Sequence, residues 1–231
     1  DNYSLRDPNP MSSMPMPMAS NVDRLTTGGR FAATWKWEGA ELTAGFDMQD
    51  SRHRKRNAMG RDAYLALPWS TDAYLDNRGL FAESTWILAP RNRLVAGVRM
   101  DRAETTDERT ITGMMGMPNP TAGETRSETL PAGFARVEHD AADVPLTLYA
   151  GVGHTARMPD YWELFSANMC PIGEVNAFAG IQPERTTQLD IGMQFRTTRM
   201  DAWISAYAGR VDDFILFTYS TGGMMGSISS V

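Results

Sequence analysis

Apolar and polar residues alternate with a period of two along most of this chain, and the alternating segments come in pairs. In RFAATWKW, Phe31, Ala33, Trp35 and Trp37 share one face while Arg30, Thr34 and Lys36 share the other. ELTAGFDMQD follows, with Leu42, Ala44, Phe46 and Met48 set against Thr43, Gly45, Asp47 and Gln49. Between them EGAE is a short polar turn around Gly39, so the two segments read as one hairpin. The unit recurs. GLFAESTWIL (Leu80, Ala82, Trp86, Leu88) turns through APRNR into LVAGVRM (Leu94, Ala96, Val98, Met100). TLPAGFARVEHD and LTLYAGVGH flank AADVP, with Leu146, Leu148, Ala150 and Val152 in phase. TTQLDIGMQF sets Leu189, Ile191, Met193 and Phe195 against Gln188, Asp190 and Gln194, then passes through RTTRMD into AWISAYAGRVDDFILF. Four hairpins, about eight strands, are predicted, with Pro131 marking a bent strand end.

The connections sort into two kinds. Turns inside hairpins take a few polar residues, whereas the linking segments, about 51–76, 105–126 and 156–183, far exceed ordinary loops. Clipped turns at one end and long loops at the other are the signature of an outer-membrane barrel. A soluble sandwich has no reason to sort its loops this way. Trp35, Trp37, Trp86 and Trp203 adjoin the short turns, where an interfacial aromatic belt belongs. Lys36, Asp47, Gln49, Glu83, Arg99, Asp101, Asp190 and Gln194 all fall on the opposite face, which therefore must be wet or packed on polar protein.

Composition narrows the options further. The 231 residues suffice for one large β domain or two ordinary ones, and 22 Lys+Arg against 28 Asp+Glu, net charge -6, leave no basic footprint for nucleic acid. Cys170 is the one cysteine, so no intrachain disulfide forms. No apolar run is long enough for a transmembrane helix, and the opening DNYSLRDPNP lacks the regions of a signal peptide. Nor is there a Gly-x-Ser-x-Gly elbow, a His-Glu-x-x-His or a phosphate-cradling glycine loop, and acid pairs such as that in VDDF are ordinary in barrel lumens; no enzyme is expected.

GHTARMPDYWELFS, then PERTTQLDIGMQF, then AWISAYAGRVDDFILF resemble the middle-to-late barrel of TonB-dependent outer-membrane receptors. In that family an Arg-x-Pro segment ends a strand, a Glu-Leu-Phe stretch follows, and the next strand begins with Pro-Glu. Here Arg157 to Pro159, Glu163 to Phe165, and Pro183 to Glu184 take those places. Within the family the chain is most similar to the copper receptors, through TTQLDIGMQF, SAYAGRVDDFILF and the opening DNYSLRDPNP with its methionine-rich continuation. The resemblance covers essentially the whole chain. It implies an all-β, antiparallel transmembrane barrel segment of about eight strands from a larger, plugged barrel of about 22. Residues 1–231 would then be a partial receptor barrel domain, with the plug, its TonB box and the C-terminal strands absent. It also implies a Gram-negative outer membrane, lipid and lipopolysaccharide as surroundings, and coupling to the TonB complex through the missing plug.

Most of the 16 methionines lie in the expected outer loops or at their margins. Thioether sulfur is a soft donor suited to monovalent copper. Met11, Met14, Met16 and Met18 cluster in MSSMPMPMAS, where proline favours an extended backbone that sets Met14, Met16 and Met18 on one edge. Met114, Met115 and Met117 lie in ITGMMGMPNP, and Met169 adjoins Cys170 in SANMCPIG. Each group has a structural reading beside the functional one, since loops also bury methionine and a loop thiol is often inert. Of the three histidines, His53 lies in the basic run SRHRKR, suited to lipopolysaccharide or solvent. His139 adjoins a short turn at the wrong end. His154, four residues before Met158, stands near the outer rim, where it joins the candidate ligands or serves as a hydrogen-bonded structural residue. Copper as transported cargo, Cu+ above Cu2+, is thus the expected ligand. A siderophore or other metal-chelate receptor of the same architecture, and an outer-membrane adhesin or structural barrel, are the alternatives.

Overall fold

The computed structural model describes residues 2–6, 18–59, 63–112, 116–165, 171–219 and 226–231. In chain order the strands are β1 Asn2–Arg6, β2 Met18–Trp37, β3 Ala40–Met59, β4 Ser70–Ala89, β5 Asn92–Asp107, β6 Ile111–Thr112, β7 Met117–Pro118, β8 Thr125–Asp140, β9 Leu146–Arg157, β10 Glu184–Arg196, β11 Asp201–Asp212, β12 Ile215–Tyr219 and β13 Gly226–Ser230. Two single-turn helices, α1 Tyr161–Leu164 and α2 Ala177–Gly180, interrupt the β9–β10 connection. An antiparallel meander joins β1-β2-β3-β4-β5-β8-β9-β10-β11 into one nine-stranded sheet, and β6–β7 and β12–β13 form separate two-stranded ribbons. The eight long strands are the four expected hairpins; β1, which pairs Asn2–Arg6 with Met18–Val22, adds the ninth.

Register confirms the two faces. Phe31 lies opposite Phe46, Phe46 opposite Leu80, and Leu80 opposite Met100. A further row runs through Val137, Ala150 and Ile191. None of this is a dry core: Phe31 is 61% exposed, Leu80 67%, Val98 67% and Ile191 54%, while Leu42 and Leu94 are partly exposed. On the other face Arg99 donates to both Asp47 oxygens at 2.8 and 2.7 Å and to Asp101, which also accepts from Asn77 at 3.1 Å. Bulky rings fit on this face where glycine lies opposite. Gly97 faces Phe134 and Gly192 faces Tyr149, and a Cβ on Gly97 would meet the Phe134 ring at 2.5 Å. The missing side chain lets the ring lie flat against the neighbouring strand.

Several expectations change. The segment 51–76 is not a long loop: β3 continues to Met59 and β4 starts at Ser70. Each runs 20 residues, about twice the 9–11 that a tilted strand needs to cross lipid, so their outer halves stand clear of the apolar band and need no apolar alternation. Trp203 belongs to the polar face, opposite Gln194, with Tyr207 opposite Asp190; the outward row of β11 is Ala202, Ile204, Ala206 and Ala208. Apolar residues occupy both phases of this strand, so alternation could not assign its faces. AWISAYAGRVDDFILF is not one strand either, since Asp213 turns with φ 58 and the chain enters β12. Aspartate tolerates that left-handed conformation better than most residues. Pro131 does not end its strand. It pairs with Met100 while the ladder to β9 begins only at Gly133, so its missing N–H falls where β8 has one neighbour.

Candidate functional site

Every short turn (38–39, 90–91, 141–145, 197–200) lies at one end of the sheet, so the connections 7–17, 60–69, 108–124 and 158–183 all leave from the other. The longest folds over the polar face, and its base is stapled by the residues that carried the family resemblance. Arg157 at the end of β9 lies opposite Glu184 at the start of β10. Its guanidinium donates to both oxygens of Glu163 at 2.8 and 2.9 Å and to Glu184 at 3.1 Å. Asp160 caps α1 by accepting from the Glu163 amide at 2.9 Å, and Glu163 accepts from the Asp160 amide at 2.7 Å. Pro159 and Pro183 are fully buried beside the staple.

Above it, Tyr161, Leu164, Phe165, Ala177, Phe178 and Ile181 make an apolar cluster with Val22 and Ala73 of the wall and with Ile215 and Ile228 of the β12–β13 ribbon. Polar side chains fasten this cluster to the wall. The Tyr161 ring stacks on His53 at 4.3 Å and 6°, and its hydroxyl donates to Asp72 at 2.7 Å. Burial, with the Asp72 carboxylate beside it, pushes the Tyr161 hydroxyl well above the ordinary phenol value, so it remains a donor. His53, expected in solvent or on lipopolysaccharide, is instead 5% exposed because β3 directs it inward from the Arg-rich run.

Asp107, at the end of β5, is a second anchor with no exposed surface. It accepts from Arg109 Nη2 at 2.7 Å, Asn119 Nδ2 at 2.9 Å and the Thr121 hydroxyl at 2.7 Å. Asn176 joins the network by donating to Asn119 at 3.1 Å and Thr121 at 2.7 Å, and it caps α2. One carboxylate thus ties the β5–β8 connection to the β9–β10 connection. Below the loops, the polar face holds a groove of about 480 Å³ lined by Arg30, Phe81, Arg99, Phe134, Gln188 and Asp190. The Arg30 guanidinium lies 4.2 Å from the Phe81 ring centre.

The expected ligands fare unevenly. Met11, Met14, Met16, Met114, Met115, Met169 and Cys170 lie outside the described residues. Met18 enters through its backbone, paired with Arg6 and with Met59. Met117 sits exposed in the β6–β7 ribbon. Met158 packs against the apolar cluster over the polar face, whereas His154, opposite Thr187, shares the outward row with Val152 and bonds the Thr187 hydroxyl at 2.9 Å. These two are therefore not brought together. Among the described residues no three His, Cys, Asp or Glu side chains gather in a metal-binding arrangement. Sequence reasoning missed Asp72, Asp107, Asn119, Thr121 and Asn176. The capping pattern Asp160-x-x-Glu163 was there to be read, as was Asn176 before AFAG.

The Glu163 staple has a pH signature. Burial pushes its carboxyl up, but the Arg157 hydrogen bonds, the Asp160 amide and the Arg157 charge outweigh it and hold the group below its ordinary 4.5. A depressed carboxyl stabilises the fold above the unfolded-state value and loses that contribution as pH falls through the folded one. Amide exchange at 160–165 in the full-length protein should therefore stay slow from pH 7 to about 5 and quicken only below 4.5. Loss of protection already at pH 6 would assign the staple to another group.

Residues 2–229 match the family model described as TonB dependent receptor-like, beta-barrel. Among solved structures, the Copper transporter OprC shares 50% identity over 97% of this chain and 35% of that one, with a TM-score of 0.88. The alcaligin receptor FauA from Bordetella pertussis (14% identity, 94% of this chain and 34% of that one, TM-score 0.56) shares the fold. So does the ferric yersiniabactin receptor FyuA from Yersinia pestis (17%, 92% and 31%, TM-score 0.59). The chain spans about a third of the length of these structures. The comparison with curated proteins found no match.

Proposed function

The chain belongs to the TonB-dependent receptor-like β-barrel family, and from that premise we propose that it forms part of the wall of a receptor that imports copper. The family is one of receptors and transporters in the Gram-negative outer membrane, which makes the bare apolar face the lipid face and the polar face the lumen. One observation carries the copper reading: the methionine-bearing segments 7–17, 113–117 and 166–170 all belong to connections that leave the sheet at its long-loop end. Soft thioethers grouped there suit Cu+, and the likeness to the Copper transporter OprC supports the same cargo. Met11, Met14, Met16, Met18, Met114, Met115, Met117, Met169 and Cys170 are its proposed ligands, with Met158 at their base; His154, which shares the outward row, is left out of the set. A plug carrying a TonB box would couple the barrel to the energised inner membrane, and lipid and lipopolysaccharide would surround it.

The test is uptake by the full-length receptor in a strain lacking other copper importers. Copper accumulation should depend on the receptor and collapse when the inner membrane is de-energised, while ferric chelates go untransported. Ferric-chelate uptake without copper uptake would favour the siderophore alternative, and energy-independent behaviour toward both would favour an adhesin.

A further inference from the structure

The arginines of SRHRKR face the membrane side of the wall. Register between β2 and β3 is regular from Met18 opposite Met59 to Trp37 opposite Ala40, so Arg52, Arg54 and Arg56 lie on the same face as Phe46 and Met48. Beyond Met48 that row continues with Asp50, Arg52, Arg54 and Arg56 before Ala58. Arg52 lies four residues past Met48, about 13 Å along the strand and less along the membrane normal because strands tilt, which places it at headgroup depth.

Side chains from two neighbouring strands and a loop surround these cations. Arg54 pairs with Asp23. The Arg56 guanidinium lies 4.4 Å from the Trp69 ring centre and 5.3 Å from that of Tyr64, and the Arg54 guanidinium lies 5.3 Å from the Trp69 ring centre. Arg52 sits between Leu25 and Tyr74, both substantially exposed, and makes no ion pair among the described residues. Its Nε has no hydrogen-bond partner there, nor has that of Arg56. Leu65 and Leu67, on the loop that carries Tyr64 and Trp69, are exposed at 57% and 42%.

We infer that Arg52, Arg54 and Arg56, framed by Trp69, Tyr74, Leu65 and Leu67, form a docking surface for a phosphorylated glycolipid of the outer leaflet. Guanidinium forks match phosphate oxygens and stay charged at any pH, while the exposed leucines and rings suit the sugar and upper acyl region of the same molecule. An acidic peptide would use the charges but would not call for apolar side chains continuous with the lipid-facing band. The inference rests on the outward face being the lipid face, not on the identity of the cargo.

The test uses the full-length receptor, delipidated in detergent and titrated by native mass spectrometry with bis-phosphorylated lipid A and with the same lipid dephosphorylated. Wild type should favour the phosphorylated form. The Arg52→Gln/Arg56→Gln variant should bind it at least about tenfold more weakly and lose the preference, since two charge-assisted hydrogen-bonding groups are gone. A Lys36→Gln/Arg196→Gln variant removes the same charge at the short-turn end and should bind as wild type does. Heat-modifiability on gels checks that each variant is folded. Equal binding of the two lipids by wild type, or unchanged binding by the Arg52/Arg56 variant, overturns the proposal, as does an acidic peptide competing as well as lipid A. Copper titration of the same preparations separates the two readings: lipid discrimination without copper binding would sink the cargo alone, and the reverse would sink the docking surface alone.

Discussion

Serine replacement of Met14, Met16 and Met18 together in the full-length receptor is expected to weaken Cu+ binding by about 100-fold or more. Substitutions one shell removed from a metal already cost about 10–100-fold, and these remove donor atoms themselves. Serine keeps the side chain small and polar but replaces a soft thioether with a hard hydroxyl that monovalent copper does not favour. The described residues on either side of the segment locate it: Arg6 and Met18 are directly paired, so 7–17 connects β1 to β2 at the long-loop end. Isothermal titration with Cu+ under reducing conditions reads the effect, and Ag+ provides an air-stable parallel. Affinity within about twofold of wild type would remove these three from the ligand set and shift attention to Met114, Met115, Met169 and Cys170.

Asp107→Asn should release two loops without unfolding the wall. Asp107 is fully buried, and the Arg109 side chain that answers it is 10% exposed, so the substitution leaves a guanidinium in a dry site without its counter-charge. Breaking a buried pair in this way costs about 3–5 kcal/mol. The new amide also turns a donor toward Asn119 Nδ2, Arg109 or the Thr121 hydroxyl, all of which donate to the carboxylate now. The penalty falls on the β5–β8 and β9–β10 connections because the strand ladders do not depend on this contact. Amide exchange at 116–124 and 171–183 should accelerate by about 100-fold or more, while β4, β5 and β10 stay protected; each 1.4 kcal/mol is a factor of ten in the opening equilibrium. Unchanged exchange would show that the apolar cluster alone holds the loops.

If both results hold, the two ends of the wall have separate work. The short-turn end is built from lipid-facing tryptophans Trp37 and Trp86 on either side of Ala40 and from ion pairs such as Arg93 with Asp140. The opposite end uses its polar residues to fix connections over the polar face, and it is the end from which the methionine-bearing connections leave the sheet. The Arg157–Glu163–Glu184 staple links these levels, because it closes the loop at the point where β9 and β10 separate.

Alternation by itself determined the eight long strands, their pairing into hairpins and the end at which the long connections lie. It could do so because a strand in contact with lipid on one side and water on the other must change polarity at every residue. The motif residues Arg157, Glu163 and Glu184 were legible as a family signature, but their joint role was not, because the three meet only when β9, α1 and β10 converge. Above the lipid band the rule fails. There both sides of the wall meet water or folded loops, and polarity no longer reports direction: His53 reads as one more charge in SRHRKR until register turns it inward onto Tyr161, while Arg52 and Arg56 turn out. Trp203 fails for the complementary reason, since Ile204 and Tyr207 place apolar side chains on both faces of β11 and only its pairing with Gln194 settles which one looks into the lumen. Asp107 shows the limit most plainly. An aspartate at a strand end is ordinary in sequence, and its importance comes from three partners, Arg109, Asn119 and Thr121, two of which are in turn bonded by Asn176 from the β9–β10 connection, a network gathered by tertiary contact alone.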